Sequence, residues 1–186
     1  MMRKITALLI LILSGSLSAY ARRKPEDTFK WISEHVQTVS YTVTTPLAAY
    51  QTDQSAKVEF NGCNATITQD LKTQKSDIRT TVSFNLKDIQ TDMVHFSSEK
   101  GVGDTEVTEY FYVQLPLVSS ATNTTIFRTS GGSKTDQSES KFVSIVLPDR
   151  DLANRQARAW RNASRACGAT DSITASSVVK APFVQR

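Results

Sequence analysis

Leu147–Gly168, LPDRDLANRQARAWRNASRACG, is the stretch that most limits what this chain can fold into. At about 100° per residue, Leu152, Ala153, Gln156, Ala159, Trp160, Ala163, Ser164 and Cys167 fall on one side of a helix. Arg150, Asn154, Arg155, Arg158, Arg161, Asn162 and Arg165 fall on the other. The split predicts an amphipathic helix that must lay its apolar stripe on something else. Pro148 with Asp149 or Asp151 marks its start, because an Asx side chain accepts first-turn N–H groups. Gly168 marks its end. Cys167 sits on the apolar side, so whatever the helix covers is within reach of a second cysteine.

That second cysteine is Cys63, the other of the two in the chain. The N-terminus bears on whether they pair. MMRK is followed by the apolar run ITALLILILSGSL and then by SAYA. A basic start, an apolar run shorter than a roughly 20-residue membrane span and an Ala19-x-Ala21 exit predict a secretory leader, residues 1–21. In an exported chain two cysteines favour one disulfide, Cys63–Cys167. It would close a loop of about 100 residues and stabilise by roughly 4–5 kcal/mol in the chain-entropy account.

Removing 21 leader residues from 186 leaves 165, which suits one domain. We expect it over 22–169, with a flexible tail over 170–186. The formal net charge is +4, and loss of Arg3 and Lys4 lowers it to +2. So weak a basic excess does not indicate a nucleic-acid partner. No later apolar run is long enough to span a membrane. The expected location is therefore secreted or periplasmic.

Periodicity sets the rest. Phe29, Ile32 and Val36 share one face of a first helix over about 25–37, with Pro25 in its first turn. From Val39 the period becomes two. Alternation predicts strands around Val39–Val43, Ala56–Phe60, Cys63–Ile67, Ile78–Leu86, Val94–Phe96, Val107–Leu115, Thr124–Thr129 and Lys141–Leu147. Polar loops are expected at Thr52–Gln54 and Ser130–Glu139, and Pro116 is expected to end its strand. Asn61-Gly62 is the strongest hairpin signal. A short edge strand is conceivable over Ser177–Lys180.

Helix, seven to eight short strands joined by turns, then helix predicts an α+β fold with an antiparallel sheet. In element order it resembles a pleckstrin-homology-like roll, a bent antiparallel barrel closed by a terminal helix. The alternative is a flatter helix-on-sheet arrangement.

Catalytic sets are poorly supplied. His35 and His95 are the two imidazoles, and no GxSxG elbow exists. A disulfide removes the cysteine nucleophile. Glu106 and Glu109 differ by an odd number, so a strand points them apart. Asp149 and Asp151 serve a helix start, and Asp88 and Asp92 bracket a turn. Gly131-Gly132-Ser133-Lys134-Thr135 has the wrong order for a phosphate loop. Neither zinc nor EF-hand spacing occurs, so no metal or cofactor is expected. A hydrolase would need carboxylates that converge only in the fold.

Two surfaces are left. Arg155, Arg158, Arg161 and Arg165 form a candidate anion-binding face, suited to bidentate contact with phosphate or carboxylate. The ordinary reading of such a face is a solvated helix exterior. Tyr110 and Tyr112 share one strand face opposite Phe111. If Phe111 is core, they form a candidate contact patch for sugar or protein. Sequons at Asn64, Asn123 and Asn162 are expected by chance in a chain so rich in Ser, Thr and Asn. We expect a bacterial exported binding or interaction domain. Its partner would be an unknown protein, polymer or small ligand in the cell envelope or outside, with at most weak contact to anionic surfaces. An envelope structural protein using the arginine face is a further alternative.

Overall fold

The computed structural model describes residues 24–171 without 46–47, 74–75 and 103–106, and describes side chains outside 41–51 and 99–108. The leader at 1–21, most of the expected tail and the edge strand expected at 177–180 lie outside the described residues.

Two helices and seven strands form one α+β unit. Helix α1 is Pro25–Glu34 and helix α2 is Arg150–Ala166. The strands are β1 (Val39–Thr45), β2 (Ala48–Asn61), β3 (Asn64–Lys72), β4 (Asp77–Asn85), β5 (His95–Val102), β6 (Val107–Thr129) and β7 (Gly132–Leu147). Every pairing is antiparallel. The strand order is β1-β2-β3-β4-β6-β5, with β7 on the other side of β6.

Strand β6 organises this sheet because it is 23 residues long. Its first half, up to Pro116, lies between β5 and the C-terminal half of β7. Its second half, from Ala121, lies between β4 and the N-terminal half of β7. The register shifts between Pro116 and Ala121. Pro116 therefore sits at an irregularity, where a missing N–H is tolerated, and does not end the strand as expected.

Four further expectations need correction. Thr52–Gln54 lies inside β2, and Ser130–Glu139 supplies the turn and first half of β7. Both were read as loops because they carry few apolar residues. Residues 131–139 are all exposed, so nothing selects for apolar alternation there. The barrel closure expected for a pleckstrin-homology-like roll is also absent. β1 and β5 approach each other, yet no ladder between them appears among the described residues, and the sheet is open. The first helix is shorter than expected, ending at Glu34.

The β2–β3 turn differs in detail. Asn61 pairs with Asn64, so the two turn residues are Gly62 and Cys63. Gly62 has φ +57°, the left-handed conformation a side chain resists. Cys63 takes the second position, and its carbonyl accepts from Leu86 N at 2.8 Å. The turn is thereby tied to the 3-10 segment Leu86–Asp88.

One face of the bent sheet carries Val58, Ile67, Val82, Phe84, Val113, Leu115, Val143 and Ile145, all buried. Helix α2 covers it. Leu152, Ala153, Gln156, Ala157, Trp160, Ala163 and Ser164 are its buried residues, close to the face read from periodicity. Trp160 is fully enclosed, with Phe60 at 5.6 Å and Phe84 at 6.2 Å between ring centroids. Asp149 is the N-cap, accepting from Leu152 N at 2.7 Å. At the other end Gly168 N donates to Arg165 O and Ala169 N to Ser164 O, a Schellman closure with Gly168 at φ +89°. Gln156 Nε2 donates to Ile32 O at 3.2 Å and His35 O at 3.1 Å, which fastens the end of α1 to α2.

Cys63 and Cys167 form a disulfide across 104 positions. It joins the β2–β3 turn to the end of α2. A loop of that length predicts about 4–5 kcal/mol of stabilisation through the unfolded state. Replacing both cysteines with serine should lower the melting temperature by roughly 8–20 °C, at about 2–4 °C per kcal/mol for a chain this size. Calorimetry of the oxidised and double-serine proteins checks this, and equal midpoints would remove the clamp from the account.

Candidate functional site

Opposite the core, the outer face of the sheet is built by alternation. Phe111, Val113, Leu115 and Leu117 of β6 pack on or within the core. Tyr110, Tyr112, Gln114 and Pro116 therefore point the other way. Tyr110 and Tyr112 are half-buried. The register adds neighbours that sequence reasoning missed. Val146 of β7 lies opposite Tyr112, Ser144 opposite Gln114 and Phe142 opposite Pro116. On the other side Ser97 and His95 of β5 face Tyr112 and Gln114.

Directly opposed residues of an antiparallel pair share a face, so these side chains form one outer surface. Phe142 is 57% exposed, and Val118 in the irregular stretch after Pro116 is 65% exposed. Tyr112 and Pro116 are about 13 Å apart along the strand at 3.3 Å per residue. The two tyrosines thus begin an aromatic and aliphatic strip that runs along β6 and β7 to Phe142. The alternation of 141–147 held the signal for Val146 and Phe142. Reading 130–139 as a loop concealed the hairpin that sets their register.

The arginine face is divided by its own contacts. Arg161 Nε donates to Val94 O at 3.0 Å and its Nη2 to the same oxygen. Arg165 pairs with Asp171 at 3.3 Å. The Arg155 guanidinium lies 6.0 Å from the Trp31 ring, which stacks on His35 at 4.4 Å. Among the described interactions of the four, only Arg158 lacks such a contact.

The imidazoles are engaged locally. His35 Nδ1 donates to Trp31 O and His95 Nδ1 to Met93 O, both at 2.8 Å. Among the described residues no three His, Cys, Asp or Glu side chains gather closely enough to hold a metal ion, and no helix is long and apolar enough to cross a membrane. Asp171 comes within electrostatic range of Asp92. Yet its carboxyl is held below the usual carboxylate range, chiefly by a hydrogen bond from Thr91 and next by one from Arg165. A general acid needs the opposite direction. The Asp70 carboxyl is lowered in the same way, chiefly by a hydrogen bond from Arg79 at 2.6 Å.

Comparison of the chain with protein families, with curated proteins and with solved structures gives no match.

The lowered carboxyls carry a pH prediction. A depressed folded-state value means the stabilisation is present above the ordinary carboxylate value and is lost as pH falls through the depressed one. Asp70→Asn and Asp171→Asn should each lower the urea midpoint at pH 7. Each should also flatten the loss of stability below about pH 4. Variants that fall as steeply as the parent would place the acid sensitivity elsewhere.

Proposed function

We propose that this is an exported, non-catalytic binding domain whose contact surface is the outer strip from Tyr110 and Tyr112 to Phe142. The observation that carries the reading is Phe142. A phenylalanine more than half exposed, in register with Pro116 and on the same outer face as two tyrosines, from which Gln114 and Ser144 separate it, is apolar surface without an evident role in the fold. Tyrosine suits a surface that must be wet when free and covered when bound, since its ring is apolar and its hydroxyl polar. Aromatic rings on the outer face of a sheet fit a glycan or a protein surface. An open sheet with its helix on one face leaves the other to a partner. The location outside the cytoplasm and the bacterial source belong to it too, supported by the leader-like N-terminus and the disulfide.

A hydrolase is less well supported, because Asp171, which lies within electrostatic range of Asp92, is held ionised. An arginine-faced envelope protein is weakened by Arg161, whose guanidinium is spent on Val94 O. Under that reading, replacing Arg155, Arg158 and Arg165 with Gln abolishes sedimentation with anionic vesicles. Under ours it changes little.

The direct test is a thermal-shift screen of the oxidised processed protein against oligosaccharides, lipids and acidic polymers, followed by pull-down from the source envelope. A ligand that binds the folded state raises the midpoint. Tyr112→Ser and Phe142→Ser should each remove the shift, or the captured protein, and Phe142→Ser should do so with little change in the unliganded midpoint. A ligand whose shift survives both variants would refute the surface.

A further inference from the structure

We infer that the N-terminal half of β7 is a self-pairing edge, through which two copies of this chain join antiparallel with Thr135 on the two-fold axis. Among the described residues strand β7 pairs only with β6, so half of its N–H and C=O groups face away from its partner. Two bonds fix which half. Leu86 N donates to Cys63 O, and Thr73 N to Ser76 O. In an antiparallel ladder, bonded and non-bonded pairs alternate. Even residues of β4 therefore bond to β3, and odd ones to β6. The phase passes through β6, whose odd residues from Ala121 to Thr129 bond to β7. On β7 the pairs at Gly132, Lys134, Asp136 and Ser138 are thus used. Ser133, Thr135, Gln137 and Glu139 offer their N–H and C=O groups to the outside.

Such an edge invites another strand, and proteins ordinarily blunt it. This chain does so at one end. Ser140 Oγ accepts from Phe142 N at 3.2 Å and donates to Phe142 O at 2.6 Å, occupying the outward groups of Phe142. Pro116 O, on the opposite strand, is taken by Gln90 N, in keeping with that orientation. Residues 132–139 have neither such a plug nor a proline, and all are exposed.

Charge identifies the occupant. Lys134 and Asp136 point to one face and pair with each other at 2.9 Å. With Thr135 on the axis, Lys134 of each copy lies opposite Asp136 of the other. These are non-bonded pairs, where side chains come closest. Thr135 then bonds Thr135, and Ser133 bonds Gln137, so outward groups meet outward groups and about six backbone bonds form. Shifting the axis by one residue sets Lys134 against Lys134, or Asp136 against Asp136. The same surface meets itself, which closes the assembly at two copies. This edge is separate from the Tyr110–Phe142 strip, so its fate does not decide that reading.

Sedimentation velocity of the oxidised processed protein over a wide concentration range tests this. A reversible dimer is expected, weakened by salt. Thr135→Pro should abolish it without unfolding the monomer, because that N–H faces away from β6 and takes no part in the β6–β7 ladder. Lys134→Asp and Asp136→Lys should each be monomeric. Mixed in equal amounts they should re-form a dimer, since each then opposes the other's charge. A protein monomeric at all concentrations would overturn the inference. So would a dimer that survives Thr135→Pro, or charge variants that fail to complement.

Discussion

The seating of Trp160 is the contact on which the rest depends. A bent antiparallel sheet has one apolar face, and here α2 covers it with that indole at full burial. Losing such a side chain typically costs about 3–5 kcal/mol, a large part of the net stability of a domain this size. Phe60, Phe84 and Trp160 meet at the end of the sheet where β2 turns into β3. The disulfide leaves from that turn. Covalent tie and largest packed side chain thus secure the same end of α2, and Gln156 brings α1 to the same helix. The seat is imperfect. Trp160 Nε1 and Gln156 Oε1 are buried without a hydrogen-bond partner, a cost the surrounding apolar burial must exceed.

Helix α2 was legible because its requirement is local. Seventeen residues with a clean apolar stripe, an Asp N-cap and a glycine after the last turn state a helix and its buried side. The disulfide was legible for an arithmetic reason, as two cysteines allow one intramolecular pairing. Strand lengths were not legible. Alternation reports burial, and it fades wherever a strand leaves the core. Ser133–Glu139 forms half a strand with no apolar residue, because its outward groups and both its faces meet water. Thr52–Gln54 hides its strand for a different reason: its buried residue is a threonine, 3% exposed, so burial there is not marked by an apolar side chain. Pro116 misled in the other direction. It ends strands in general, yet here the register shifts beside it and the strand continues.

The surfaces show a similar division. That Tyr110 and Tyr112 share a face follows from period two alone. That Phe142 and Val146 join them needs the β6–β7 register, which no periodicity contains. A helical wheel gave the direction of Arg155, Arg158, Arg161 and Arg165 but not their reach. An arginine side chain is long enough to bend to a nearby carbonyl or ring. Arg161 does so at Val94 O and Arg155 at Trp31. A charged stripe on a wheel is therefore a weaker statement about free charge than an aromatic pair on a strand is about an aromatic surface.

The same physics separates the roles of the two sheet faces. On the inner face each position is held by its neighbours, since close-packed side chains leave little freedom to change volume. Chemistry that needs a buried, displaced pKa would have to arise there. The inner face instead contributes Gln69, Thr80 and Thr125, and Gln69 Nε2 is occupied by Ser144 O while Thr80 and Thr125 bond each other. The shifted carboxyls, Asp70 and Asp171, lie outside it and are held ionised by Arg79 and by Thr91 with Arg165. On the outer face β6 and β7 place tyrosine, valine and phenylalanine in register, and Phe142 among them is more than half exposed. The outer face thus differs from the inner one in what it leaves to water, an apolar ring at Phe142 and, further along β7, the outward backbone groups of a strand edge.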